Sequence, residues 1–85
     1  MQTVEIYTTP SCGYCAAAKR LLQSKGVSYQ EIDVSRDPDL RAAMRERARG
    51  GWTVPQIFIG GTPVGGCDEL HMLDDEGRLD PLLEG

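Results

Sequence analysis

Two cysteines three positions apart, Cys12 and Cys15, sit in the stretch TPSCGYCAAAKRLL, residues 9–22. A thiol pair at this spacing has three uses: half of a tetrahedral metal site, a small structural disulfide, or electron exchange with other thiols. Zinc would need two further ligands, and only Cys67 and His71, at i and i+4, remain to supply them. Three cysteines in all cannot pair completely within one chain, so this is not the framework of a disulfide-stapled secreted protein. Electron exchange makes the strictest demand on position. The attacking sulfur must be a thiolate, and a thiolate is favoured where unsatisfied N–H groups or positive charge face it.

The surrounding pattern supplies that position. VEIYTT (4–9) has the β-branched and aromatic character of a strand, with Val4 and Ile6 on one face. From Cys12 the period changes: Cys15, Ala18 and Leu22 recur on one helical face, and Lys19, Arg20 and Gln23 face out. Cys12 thus falls where a strand ends and a helix begins, with the helix's free N–H groups and positive dipole end at its sulfur. Cys15 lies one turn further in, within disulfide reach but deeper. A Cys-x-x-Cys beside a βαβ pattern reads as a thioredoxin-like redox motif.

The remaining elements follow by their punctuation. Gly26 stops the first helix, and VSYQEIDV (27–34) alternates as a second strand. The segment 37–51 is a second helix, capped by Asp37, opened by Pro38, lined inward by Leu40, Met44 and Ala48, and ended by Gly50-Gly51. PQIFIGGTPVGG (55–66) is a hairpin about Gly60-Gly61, residues 67–77 are a short helix, and DPLLEG adds a last turn. The order is β-α-β-α-β-β-α. Strands joined through a helix are parallel and the closing hairpin is antiparallel. The expectation is an α/β fold: a four-stranded mixed β-sheet with helices on both faces, using residues 1–85 as one domain.

Composition bounds the function. The 85 residues are 40% hydrophobic and 26% charged with net charge −4, which argues against general nucleic-acid binding. The sequence has no apolar run long enough to span a membrane, and the start lacks a signal-peptide pattern. A cytoplasmic protein is expected, in a compartment that keeps thiols reduced. Charge is uneven: five arginines lie between Arg36 and Arg49, and seven acids between Asp68 and Glu84. Both runs read as solvated helix faces, the arginine segment also as a candidate attractor of anions.

CGYC after the first strand, TVPQIFI about forty residues later, and GGCDEL before the last helices together resemble a glutaredoxin of the dithiol type, in the thioredoxin-like superfamily. The resemblance covers nearly the whole chain. It implies that Cys12 is the nucleophile toward glutathione mixed disulfides, with Cys15, or a second glutathione, resolving the adduct. It implies that Tyr14 lines the active-site surface and that Thr53 and Val54 precede a cis-proline, Pro55, in a segment offering backbone hydrogen bonds to glutathione. Gly66, Cys67 and Asp68, opening a helix, would hold the γ-glutamyl end. The residues alone also allow an ordinary edge-strand proline at Pro55 and a plain helix-start acid at Asp68, and they read His71 as a surface residue.

The implied partners are glutathione and glutathionylated or disulfide-containing proteins, acting on a monomer. Two further roles fit the resemblance: a redoxin fed by thioredoxin reductase that donates electrons to ribonucleotide reductase, and a dimer bridging a [2Fe–2S] cluster. Gly13 keeps the second open, because the family commonly has proline there. Thr9 replaces a lysine that meets glutathione's glycyl carboxylate, leaving Arg49 or Lys19 to supply the charge.

Overall fold

A computed structural model describes residues 2–85. The strands are β1 (Val4–Thr8), β2 (Gln30–Asp33), β3 (Gln56–Ile59) and β4 (Thr62–Gly65), and the helices α1 (Gly13–Ser24), α2 (Pro38–Arg47), α3 (Cys67–Asp75) and α4 (Leu79–Glu84). The sheet order is β2-β1-β3-β4. β1 runs parallel to β2 and antiparallel to β3, and β3 and β4 form the hairpin. Gly60 and Gly61 both have positive φ, 59° and 81°, as a two-residue turn matched to strand twist requires.

Alternation along the two central strands divides the core. Val4 and Ile6 of β1 and Ile57 and Ile59 of β3 pack on one face with Ala18 and Leu22 of α1, Leu70 of α3, and Leu79 and Leu83 of α4. Tyr7 and Phe58 point the other way, onto Val34 and Met44 of α2. Helices therefore cover both faces, and all of these side chains are buried.

The second face carries a polar clamp. Arg47, at the end of α2, donates two bonds to Glu5 (3.0 and 2.9 Å) and one to the Tyr7 hydroxyl at 2.8 Å. Its guanidinium carbon lies 4.1 Å from the Phe58 ring centroid, a cation–π contact. The Arg47 bonds hold the Glu5 carboxyl below its ordinary value against the opposing effect of burial.

Three local details differ from the expectation. β2 begins at Gln30 rather than Val27, because its pairing with β1 starts at Glu5 opposite Gln30. Val27 is instead buried against the end of α1, its N–H reaching the Leu22 carbonyl at 3.4 Å. α2 ends at Arg47, before the glycines: Arg49 turns left-handed (φ 56°) and Gly50 N–H closes the helix on the Arg45 carbonyl at 2.8 Å. Leu40 is 39% exposed, leaving Met44 as the buried residue of α2.

Replacing Arg47 by methionine keeps the aliphatic stem but strips Glu5 of its partner. We expect a loss of about 1–2 kcal/mol at neutral pH, at the low end because the pair is partly solvated. Glu5's depressed ionisation contributes stability above the ordinary carboxylate range and loses it as pH falls through the lowered one. Denaturant unfolding across acid pH should therefore show a shallower decline in Arg47→Met than in the parent.

Candidate active site

α1 begins without a hydroxyl or carboxylate cap. Cys12, in extended conformation, takes that place, and its Sγ accepts the Cys15 N–H at 3.1 Å. The Cys12 carbonyl accepts from Ala16 N–H at 3.2 Å, so the helix grows directly from this residue. Across the cleft, the Sγ–H of the thiol form donates to the Val54 carbonyl at 3.7 Å. The Val54–Pro55 peptide is cis, and Pro55 leads into β3. The first cysteine is half-buried; Cys15 is 1% exposed, packed with the helix's inner stripe.

The two thiols are unlike electrostatically. Burial, followed by the hydrogen-bond and charge effects of Cys12, pushes the Cys15 thiol up to about 12. Cys67, also buried, is pushed up by burial first and by the nearby Asp68 next.

Beside Cys12 lies a groove of about 390 Å³ lined by Tyr14, Thr53, Val54, Pro55, Gly66, Cys67, Asp68 and Glu69. It brings together Tyr14, the Thr53–Pro55 segment and the helix-start residues Gly66, Cys67 and Asp68, and adds Glu69, while Lys19 and Arg49 do not line it. Tyr14, 67% exposed, forms one wall. Glu69 folds back so that its carboxylate accepts Gly66 N–H at 2.7 Å. Gly65 permits this: at φ 114° a Cβ there would come within 2.8 Å of Glu69 Oε1. The Gly66 N–H is thus taken, while the N–H groups of Cys67, Asp68 and Glu69 precede the first helical bond, from Leu70 to the Gly66 carbonyl, and have no acceptor within the helix. An acid three positions after a helix-opening glycine was the available signal for Glu69.

Other named residues lie elsewhere. Lys19 is engaged with Glu31 at 3.0 Å, and Glu31 also accepts from the buried Thr8 hydroxyl at 2.8 Å. Beside the Thr53 segment, Arg41 donates to the Trp52 carbonyl at 3.1 Å. His71 is half-buried, with Nδ1 2.9 Å from the Cys67 carbonyl and 3.4 Å from its Sγ. Among the described residues no three His, Cys, Asp or Glu side chains converge in a group that could hold a metal ion.

A thiol at a helix start, a buried thiol one turn behind it, and a groove across a cis-proline segment form a constellation that can be compared with known proteins. Residues 4–64 match the family pattern described as Glutaredoxin. The chain is 57% identical to a glutaredoxin of Pseudomonas aeruginosa, covering 98% of each. The chain belongs to the glutaredoxin family. Among solved structures, the glutaredoxin of Brucella melitensis is 59% identical with a TM-score of 0.86, covering 98% of this chain and 89% of that one. A buckwheat glutaredoxin solved as its glutathione complex superposes with a TM-score of 0.88 at 34% identity, over 98% of this chain and 77% of that one. Family and fold make this glutaredoxin a thiol–disulfide oxidoreductase, with the sheet and helices of the thioredoxin-like fold. None of its described helices is long and apolar enough to cross a membrane.

With burial foremost in pushing the Cys15 thiol up to about 12, little of it is ionised at pH 8. Limiting iodoacetamide at that pH, followed by peptide mapping, should label Cys12 at least about tenfold faster than either Cys15 or Cys67. All three should react once the chain is unfolded.

Proposed function

We propose that this glutaredoxin uses glutathione to reduce glutathione mixed disulfides and protein disulfides, with Cys12 as nucleophile and Cys15 as resolving thiol in one catalytic domain. The observation that carries the reading is the contact of Cys12 Sγ with the Val54 carbonyl, since Val54 also lines the groove. A glutathione sulfur reaching Cys12 would therefore have its peptide arms along residues that can hold them. The groove volume suits a tripeptide, and the glutathione complex of the buckwheat relative supports the same ligand.

In the first step the Cys12 thiolate attacks the glutathione sulfur of a mixed disulfide. A bond forms between Cys12 and that sulfur, the original disulfide breaks, and the substrate leaves as a thiolate that takes a proton from water. The backbone at Thr53–Pro55 pairs with the cysteinyl unit as an added strand would, and Tyr14 walls the other side. The γ-glutamyl carboxylate meets the Cys67 and Asp68 N–H groups at the positive end of α3, while the Asp68 carboxylate takes the ammonium. Arg41, held at the Trp52 carbonyl, supplies the glycyl carboxylate with the charge that Thr9 lacks.

Resolution follows either of two routes. A second glutathione thiolate attacks the glutathione sulfur, forming glutathione disulfide and restoring the Cys12 thiolate. In the dithiol route Cys15 loses its proton and attacks the Cys12 sulfur, closing the protein disulfide and expelling glutathione. The chain works as a monomer in this scheme, on glutathionylated or disulfide-containing proteins.

Coupled turnover of a glutathionylated peptide with glutathione and glutathione reductase tests the reading. Cys12→Ser should abolish turnover, whereas Cys15→Ser should retain it through the second-glutathione route. Equal loss in both variants would contradict the assignment of the nucleophile. Turnover only when thioredoxin reductase replaces glutathione reductase would favour a redoxin that donates to an enzyme such as ribonucleotide reductase. Closure of the Cys12–Cys15 disulfide from the glutathione adduct should accelerate with pH while Cys15 remains mostly protonated, followed by acid quench and mass analysis. A closure rate flat from pH 6 to 9 would contradict Cys15 as the attacking thiol.

A further inference from the structure

A second and larger cavity, about 460 Å³, lies on the outer side of α2 and is lined by Pro38, Arg41, Ala42, Arg45 and Trp52. The four α2 residues sit at i, i+3, i+4 and i+7, one stripe of the helix. This stripe is distinct from the one that carries Met44 into the core. The acids of the same helix, Asp39 and Glu46, do not line the cavity. None of the ion pairs among the described residues involves Arg41 or Arg45. Trp52 is 64% exposed, a large aromatic surface left in water beside two unneutralised guanidinium groups.

The cavity and the Cys12 sulfur are joined through one short segment of chain. Trp52 stands two residues before Val54, whose carbonyl meets Cys12 Sγ, and two residues of extended chain span at most about 7 Å. Arg41 forms the border, holding the Trp52 carbonyl from the cavity side. With glutathione in the other groove, Arg45 and the Trp52 ring remain open, over an apolar floor of Pro38 and Ala42. That combination fits an acidic side chain beside an apolar one, the carboxylate on Arg45 and the apolar group against Trp52. The sign matters, because the chain as a whole carries net charge −4 and would otherwise repel an acidic partner.

We propose that this groove is a docking surface for the protein substrate: it takes an acidic segment within about two to five residues of the glutathionylated cysteine. The inference rests on the glutathione reading above for its substrate, and extends it from the tripeptide to the protein. It makes Arg45 and Trp52 determinants of which proteins are deglutathionylated fastest.

Two glutathionylated peptides test it, identical except for Glu or Gln at the positions two to five residues from the cysteine. At low salt the wild-type protein should turn over the Glu peptide with a kcat/KM roughly two- to fivefold higher, the yield of one or two exposed charge pairs. Half-molar salt should erase the preference, and Arg45→Glu should erase or invert it while leaving the Gln peptide unchanged. Trp52 is the chain's one tryptophan, so its emission reads the groove directly. A Cys→Ser version of the Glu peptide should shift that emission saturably in wild type, and not in Arg45→Glu.

Equal kcat/KM for the two peptides in wild type, or no Trp52 response to the Cys→Ser Glu peptide, overturns the proposal. A Trp52 emission that changes with protein concentration alone, with a matching rise in mass by light scattering, also overturns it, because a second copy is then the occupant. If neither peptide is turned over, the glutathione reading fails, and the Trp52 titration still decides the groove by itself.

Discussion

The structure turns on how one helix starts. An α-helix opens with N–H groups that need an acceptor, and in α1 the acceptor is the sulfur of Cys12, 3.1 Å from the Cys15 N–H. This fixes the sulfur to the backbone at the positive end of the helix, where negative charge is stabilised. The end of β1 determines where that helix can begin. The inner stripe of Cys15, Ala18 and Leu22, all buried, determines how it lies on the sheet. β3 then has to bring the Val54 carbonyl over the same sulfur. A change in any of these elements moves the one atom on which the chemistry depends.

That constraint makes two like residues unlike. Cys12 is at the helix start and half open to solvent, while Cys15 is one turn in and almost wholly buried. The same side-chain chemistry thus yields an accessible sulfur and a buried one.

Much of this was legible in the sequence, for a physical reason. β1, α1 and the β3–β4 hairpin are marked by local signals: a change of period from two to 3.6, a glycine stop and a paired-glycine turn. The junction at Cys12 follows from those signals alone. The lining of the groove was legible differently. Nothing local says that Tyr14, Thr53 and Asp68 share one cavity, and their grouping came from resemblance. Features set by distant pairing stayed hidden. Arg47 reads as one of several solvated arginines until Glu5, forty-two positions away, is packed beside it. The early end of α2 depends on a left-handed Arg49, which its side chain does not advertise. Leu40 fits the helical period, yet lies beyond the reach of the sheet.

The central claim is that the Cys12 sulfur attacks the glutathione side of a mixed disulfide because the groove holds glutathione in line with it. Reduced protein mixed with one equivalent of a glutathionylated peptide, quenched in acid within milliseconds and mapped by mass spectrometry, reads that step directly. The account predicts glutathione on Cys12 and free peptide thiol in equal amounts. Peptide rather than glutathione on Cys12, or a first adduct on Cys67, would contradict it.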